Sequence, residues 1–320
     1  MSSSAFLSMP RILGFGLFAA LAAFAAWYWL SPRLPSPEQV EMTYATPLPA
    51  PQHPLQVFHL GHSLVGRDMP AMLAQLAGQG HDYASQLGWG ASLKQHWEPN
   101  IPVNGFEVEN AHDRHRPVKP SIADATLDAF VMTEMVELRD AIAYHDSAKY
   151  VTSWADHVHA QSPKTRVYLY ETWHRLDDEA GWLARLDADL PALWERELLL
   201  PHLARSQAEV YVIPAGQVMA QFVRALEADG PIGEMTDRTS LFARTPKGEV
   251  DPIHLGDLGA YLVALTHYAV LYHRSPVGLA FQLKRADGTP AQAPNAKAAL
   301  LMQQTVWDVV TSYPKTGVAQ

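Results

Sequence analysis

The stretch that decides the fold is residues 55–80, LQVFHLGHSLVGRDMPAMLAQLAGQG. It begins with an apolar run of strand length over 55–60, which ends at Gly61. Apolar residues then recur at helical spacing, at positions 69, 72, 73, 76 and 77, as far as Gly80. A strand followed directly by an amphipathic helix is typical of a βαβ unit, and it predicts a parallel sheet covered by helices.

The rest of the chain continues this alternation. Further strands are predicted at 83–87, 129–133, 166–170 and 210–213, and helices at 146–160, 182–206, 217–228, 258–272 and in the tail from 291 to Pro314. The polar, unpatterned segment 99–120 is predicted to be a long loop. We therefore expect an α/β fold over residues 55–320, a three-layer α/β/α sandwich around a five-stranded parallel sheet.

The N-terminal region predicts export. Residues 12–30 read ILGFGLFAALAAFAAWYWL without a charge, which is long enough to cross a bilayer core of about 30 Å as a transmembrane helix. A cleaved signal peptide is the alternative, because residues 23–25 form a small-x-small site. The aromatic residues at 27–29 favour an uncleaved anchor. The remaining chain is expected outside the cytoplasm, in the periplasm of a bacterium, or secreted if the segment is cleaved.

Two short segments flank this apolar stretch. Residues 1–11 form a short N-terminal flank. Residues 31–54 contain seven prolines and little hydrophobic periodicity, which predicts an extended spacer between the membrane and the domain.

Composition argues against several classes of function. The formal charge is −9, from 24 basic and 33 acidic residues, and no basic stripe indicates a nucleic-acid partner. The chain has no cysteine, which excludes disulfides and thiolate metal sites. No glycine-rich phosphate-binding motif occurs, and His112 and His115 lack a third metal ligand at defined spacing. No cofactor and no metal are therefore predicted.

Candidate catalytic residues follow the first strand and precede the last long helix. In an open parallel sheet, ligands bind at the carboxyl ends of the strands. Ser63 lies there, and taken alone it is better explained as a helix N-cap than as a nucleophile. Asp251 and His254 stand three residues apart after the last strand region. A serine nucleophile needs a base, and a histidine base needs an acceptor to fix its tautomer, so His254 and Asp251 are predicted to activate Ser63.

These two segments resemble conserved blocks of a known family. GHSLVG at 61–66 looks like the GDS-type block of the SGNH (GDSL-like) hydrolases, and DPIH at 251–254 looks like their DxxH block. The resemblance covers about residues 55–275. It implies a flavodoxin-like fold, a Ser-His-Asp site and hydrolysis of esters, often acetyl esters of carbohydrates.

The resemblance also implies an oxyanion hole made of the nucleophile's N–H, a glycine N–H after the second strand and an asparagine after the third. Gly90 matches the glycine. After the third strand, residues 131–137 read VMTEMVE, where the nearest polar candidate is Glu134. An ionised carboxylate repels an oxyanion, so Glu134 would have to be protonated or turned away. A two-donor hole, or a donor such as Asn104 or His174, are the alternatives.

Three tryptophans that follow predicted strands complete the candidate site. Trp89, Trp97 and Trp173 could stack on sugar rings, although core packing is the other explanation. The predicted function is a membrane-anchored extracytoplasmic serine esterase acting on an acylated small molecule or glycan. Two alternatives stay open: a polysaccharide O-acyltransferase with the same triad, and a noncatalytic glycan-binding protein.

Overall fold

The computed structural model describes residues 33–319, and the chain from Pro35 onwards forms one compact unit. A parallel sheet with the strand order β2-β1-β3-β4-β5 lies at its centre, which confirms the predicted five-stranded sheet. Its strands are β1 Gln56–His62, β2 Asp82–Gly88, β3 Ala129–Met132, β4 Arg166–Glu171 and β5 Val210–Pro214.

Helices cover both faces of this sheet, and the residues of β1 and β3 are therefore buried on both sides. The helices are α1 Pro37–Tyr44, α2 Asp68–Ala77, α3 Leu93–Trp97, α4 Phe106–Glu109, α5 Val118–Ala123, α6 Leu138–Tyr144, α7 Ser147–Gln161, α8 Trp182–Asp189, α9 Leu200–Leu203, α10 Ala215–Asp229, α11 Asp257–Tyr272 and α12 Ala296–Ser312. A π-helix, Leu190–Leu199, joins α8 to α9, and 3₁₀ turns cover Arg238–Leu241 and Pro314–Thr316. Helix α11 packs against α2, α10 and α12, while α7 packs against α3, α5 and the π-helix.

The spacer expected over 31–54 differs in the structure, because α1 lies within it. Ser36 and Gln39 form a reciprocal capping box at the start of this helix, a local signal that the proline count obscured. Tyr44 at its end is buried and donates a hydrogen bond to the carbonyl of Val210 at 2.7 Å. The Leu48 N–H donates to the Gly317 carbonyl at 2.8 Å. The described part of this segment therefore packs on the domain, which starts before Leu55.

The DPIH segment also differs from its expected place. Instead of following a strand of the main sheet, it forms most of a strand of its own, β7 Val250–Leu255. This strand pairs antiparallel with β6 Phe242–Arg244 in a separate two-stranded ribbon. The alternation of apolar and polar residues over 250–255 is too short and too polar to predict a strand from the sequence. Pairing with β6 supplies hydrogen-bond partners for the backbone of β7.

Two further sequence expectations concern the segments outside the sheet. The predicted membrane segment 12–30 lies outside the described residues, and no helix within 33–319 has the length and apolar character that crossing a bilayer requires. The predicted loop 99–120 contains α4 and the start of α5. Part of it also lines the free edge of β2, where Ser85 bridges His115 in parallel fashion.

A pair of histidines lies in the interior of the domain. His59 in β1 and His267 in α11 are fully buried, with their ring centroids 5.8 Å apart. Neither ring nitrogen of His59 has a hydrogen-bond partner among the described residues. Burial lowers the pKa of His59 well below its ordinary value and lowers the pKa of His267 to about 4. Both rings are therefore neutral in the folded protein.

This pair predicts that acid destabilises the fold. The unfolded histidines take up protons near pH 6.5 and the folded ones do not, so their contribution to stability is complete above that pH and is lost as the pH falls towards 4. We expect His59→Phe to flatten the decline in the free energy of unfolding between pH 7 and 5, measured by urea denaturation. The exposed control His159→Phe should keep the wild-type slope; equal slopes for all three proteins would show that His59 is not buried neutral.

Candidate active site

Ser63 lies in the tight turn between β1 and α2, at the carboxyl edge of the sheet. The Val65 N–H donates to the His62 carbonyl at 2.9 Å and closes this turn. Gly61 is required just before it, because a Cβ there would lie 2.6 Å from the methyl group of Thr133, the residue that follows β3. The close approach of these two strands thus fixes where the serine emerges.

Two buried histidines hold the backbone around Ser63. The Nε2 of His96 lies 2.8 Å from the Gly61 carbonyl, and the Nε2 of His62 lies 2.8 Å from the Glu134 carbonyl. The Nδ1 of His62 accepts from the Leu64 N–H at 3.3 Å, which assigns the proton to its Nε2. Burial lowers the pKa of both histidines to about 4. Neutral rings therefore support the turn on both sides of the serine.

The structure brings the three predicted catalytic residues together. The Oγ of Ser63 lies 3.1 Å from the Nε2 of His254, and the Nδ1 of His254 lies 3.0 Å from the Oδ2 of Asp251. The His254 side chain is 47% exposed and that of Asp251 is 27% exposed. The three side chains form one unbroken chain of hydrogen bonds that solvent can reach.

Asp251 decides which nitrogen of His254 carries the proton. Its Oδ1 accepts from the backbone N–H groups of Ile253 and His254, each at 2.9 Å. Burial alone would raise the pKa of Asp251, but these bonds and the bond from the His254 ring outweigh it and hold the pKa below its ordinary value. An ionised carboxylate only accepts hydrogen bonds, so Nδ1 of His254 is the donor and Nε2 is free to accept from Ser63.

The loop after β4 holds the DPIH strand from behind. Trp173 is 1% exposed, and its indole N–H donates to the Ile253 carbonyl at 2.7 Å. The Leu176 N–H donates to the Pro252 carbonyl at 2.8 Å. The structure thus places Trp173 in the core beneath the base, where it positions His254 and does not face a substrate.

A cavity of about 700 Å³ opens in front of Ser63. Gly90 lines it, has a φ of +53°, and makes no hydrogen bond through its N–H to any residue that the structure describes. That N–H can therefore donate to a ligand. The residues that line the cavity are His62, Ser63, Leu64, Trp89, Gly90, Glu109, Val136, Glu137, Arg175, Asp178, Ile253 and His254.

Glu134 is turned away from this cavity. It is fully buried, and its Oε1 accepts from the N–H groups of Leu93 at 3.2 Å and Met135 at 2.8 Å. Burial raises its pKa to about 7. Asn104 and His174 do not line the cavity either, and His174 lies with its Nε2 3.0 Å from Asp189. The structure brings none of these three candidates to Ser63 as a further oxyanion donor.

The other two tryptophans have different surroundings. Trp89 lines the cavity and is 52% exposed. Its ring lies against Gly105, where a Cβ would be 2.2 Å from the ring, and its indole N–H donates to Glu109 at 2.7 Å. Trp97 instead packs edge-on against buried Trp154 at 4.8 Å and does not line the cavity. Of these three tryptophans, only Trp89 lines the candidate site.

The charged side chains beside the cavity, Arg185 and the carboxylates that pair with it, were not predicted from the sequence. The Arg185 side chain is 2% exposed and forms ion pairs with Glu137, Asp178 and Asp189. Glu137 and Arg185 are 48 positions apart, too far for a local pattern in the sequence to predict their pairing. Within residues 33–319, no group of histidine and acidic side chains is arranged to hold a metal ion.

Comparisons with known proteins give similarity to solved structures only; no family model and no curated protein matches the chain. One similar structure is described as a "putative GDSL-like lipase" from Parabacteroides merdae, at 12% identity and a TM-score of 0.43, covering 70% of this chain and 99% of that one. A second is described as a "putative platelet activating factor" from Streptococcus pneumonia, at 12% identity and a TM-score of 0.37, covering 80% and 99%.

A third is a carbohydrate esterase family 2 enzyme with its carbohydrate binding domain from Corynascus thermopiles, at 12% identity and a TM-score of 0.27, covering 83% of this chain and 67% of that one. The assignment of the site depends on the geometry of Ser63, His254 and Asp251 themselves.

The buried carboxyl of Glu134 predicts a stability effect of opposite sign to that of the histidines. Its pKa is raised in the folded protein, so the folded state binds the proton more tightly, and stability is lost as the pH rises from about 4.3 to 7. We expect Glu134→Gln to gain stability relative to wild type over this range, by roughly 1–3 kcal/mol in urea denaturation. The exposed control Glu234→Gln should not gain; parallel curves for Glu134→Gln and wild type would show an ionised Glu134.

Proposed function

We propose that this protein is a serine esterase in which Ser63 attacks the acyl carbonyl of an ester. One observation carries the proposal: the hydrogen-bond chain from Ser63 through His254 to Asp251 at the mouth of an open cavity. A serine that only caps a helix has no need of an oriented, neutral imidazole beside its hydroxyl group, whereas a serine nucleophile does.

In the proposed reaction, the Nε2 of His254 takes the proton of Ser63 as Oγ bonds to the carbonyl carbon. The tetrahedral intermediate collapses with cleavage of the acyl C–O bond, and the protonated His254 gives its proton to the leaving alcohol. Water then attacks the acyl enzyme, again losing a proton to His254, and the carboxylic acid leaves with Ser63 regenerated. Asp251 stabilises the imidazolium in both halves without taking its proton.

Two backbone donors are proposed for the developing oxyanion. The N–H of Gly90 has no other hydrogen bond in the described chain, and the N–H of Ser63 follows directly on β1. Glu134 is excluded from this role in the proposal, because its carboxyl is bound to Leu93 and Met135. A hole with two donors is expected to stabilise the oxyanion less than one with three, since a single donor is worth about 3 kcal/mol in such sites.

A carbohydrate ester is the substrate that Trp89 favours. A sugar ring presents an apolar face of C–H groups that can stack on an indole, and the exposed indole of Trp89 lines the same cavity as Ser63. An acetyl group is the proposed acyl part, in line with the sequence resemblance. Water is the proposed acceptor, because the half-exposed His254 is open to solvent.

The proposal also places the enzyme outside the cytoplasm, anchored through residues 12–30. The support is the uncharged apolar run of that segment, which has the length of a membrane span. A mature N-terminus near residue 26 in the secreted protein, found by N-terminal sequencing, would instead establish a cleaved signal peptide.

Covalent labelling tests the nucleophile. We expect a neutral fluorophosphonate probe to label the wild type on Ser63, as located by peptide mass spectrometry, and Ser63→Ala to lose both labelling and hydrolysis of p-nitrophenyl acetate. The exposed control Ser312→Ala should retain both. Labelling of Ser63→Ala at the wild-type level would refute the assignment.

Product analysis separates hydrolysis from acyl transfer. With p-nitrophenyl acetate and an oligosaccharide acceptor together, the proposal predicts free acetate as the acyl product. Acetylated oligosaccharide as the main product would instead identify an O-acyltransferase with the same nucleophile. Oligosaccharide binding without any turnover or labelling would favour the noncatalytic alternative.

A further inference from the structure

The cavity in front of Ser63 has an unequal set of charges on its wall. Glu109, Glu137 and Asp178 line it, with Arg175 as the basic residue among its described lining residues. The guanidinium of Arg175 is already bound by Asp177, with Nε to Oδ1 at 2.8 Å and Nη2 to Oδ2 at 2.7 Å. Carboxylates therefore dominate the lining, and the charge of Arg175 is compensated locally.

Arg185 lies behind the carboxylates that line the cavity, and its positive charge does not neutralise all of them. Its guanidinium is shared among Glu137, Asp178 and Asp189, and Arg139 lies 3.9 Å from Asp189, so that two positive charges face three negative ones. Its hydrogen bonds lower the pKa of Glu137, and it helps to lower that of Asp178 against the effect of burial, which keeps both carboxylates ionised. With a side chain 2% exposed, Arg185 cannot reach a ligand in the cavity.

Trp89 and Glu109 together place an indole ring and a carboxylate side by side at the cavity, an arrangement that does not suit an anionic ligand. The half-exposed indole of Trp89 lines the cavity, and the carboxylate of Glu109 lies at the edge of that indole, 2.7 Å from its nitrogen. The face of an indole attracts cations, and an adjacent carboxylate strengthens that attraction. Aromatic face and carboxylates thus favour the same sign of charge on a ligand.

We propose that this cavity selects its substrate by charge, favouring an ester with a cationic group next to the acyl oxygen over a neutral one, and a neutral one over an anionic one. The inference rests on the proposed function and deepens it. Among glycans it predicts acyl esters of sugars with free amino groups as substrates, and it predicts that esters of uronates are poor ones.

The test measures the second-order rate constant for labelling of Ser63 by three methylphosphonofluoridates of matched shape. Their alkoxy groups end in trimethylammonium, tert-butyl or sulfonate, so that they differ in charge alone. We expect about a tenfold decrease at each step from cation to neutral to anion at low ionic strength. The spread should narrow when the salt concentration is raised, because salt screens exposed charges.

The variant Glu109→Gln isolates one carboxylate. Its amide oxygen can still accept from the Trp89 indole, so the ring keeps its place while the charge is removed. We expect the cation-to-neutral ratio of rate constants to fall at least threefold. Glu107→Gln, an exposed residue on the same helix α4, is the matched control and should keep the wild-type ratio.

The outcomes separate the two proposals. Equal labelling rates for the three probes would overturn charge selection while leaving Ser63 as the nucleophile. An unchanged ratio in Glu109→Gln would overturn the part assigned to Glu109 and its contact with Trp89. Faster labelling by the sulfonate probe would overturn charge selection as well. If none of the probes labels Ser63, the proposed esterase fails, and the inference fails with it.

Discussion

The site depends above all on the carboxylate of Asp251. Its Oδ1 accepts two backbone N–H groups of its own strand, and its Oδ2 accepts the ring N–H of His254. The same carboxylate therefore shapes the backbone that presents the histidine and fixes the tautomer of that histidine. Because the DPIH strand belongs to a two-stranded ribbon outside the main sheet, its position also requires the bonds from Trp173 and Leu176 behind it. Removing a bond from either side would loosen the contact with Ser63.

Around this charged centre, burial disfavours the charged form of each supporting group. His62 and His96 bind backbone carbonyls beside the nucleophile, and Glu134 accepts from two N–H groups near the start of α3. The covered sheet is the common cause, since a fully enclosed ionisable side chain loses its hydration if it is charged. Asp251 and the carboxylates that line the cavity are reached by solvent, whereas Arg185 and Asp189 behind them are buried and neutralise each other in an ion pair.

Hydrophobic periodicity in the sequence predicted the strands and helices that short segments of the chain determine by themselves. The run at 55–80 predicted β1, the turn with Ser63 and α2, and the alternation along the chain predicted the five parallel strands. The pairing of Ser63 with Asp251 and His254 was predicted from the chemistry of a serine nucleophile, although the DPIH segment lies in a separate antiparallel ribbon and not after a strand of the main sheet. The ion pairs of Arg185 and the fate of Glu134 could not be predicted, because both depend on contacts between distant segments. For the same reason, the sequence could not distinguish exposed Trp89 from buried Trp173.

The most direct test of the central claim is the tautomer of His254 in the resting protein, measured by ¹⁵N NMR of its ring at a pH where the ring is neutral. If Asp251 organises the site as described, Nδ1 carries the proton and Nε2 has the chemical shift of an unprotonated nitrogen, a preference that weakens in Asp251→Asn. A proton on Nε2 in the wild type would leave Ser63 without a base and would contradict the catalytic interpretation of the geometry.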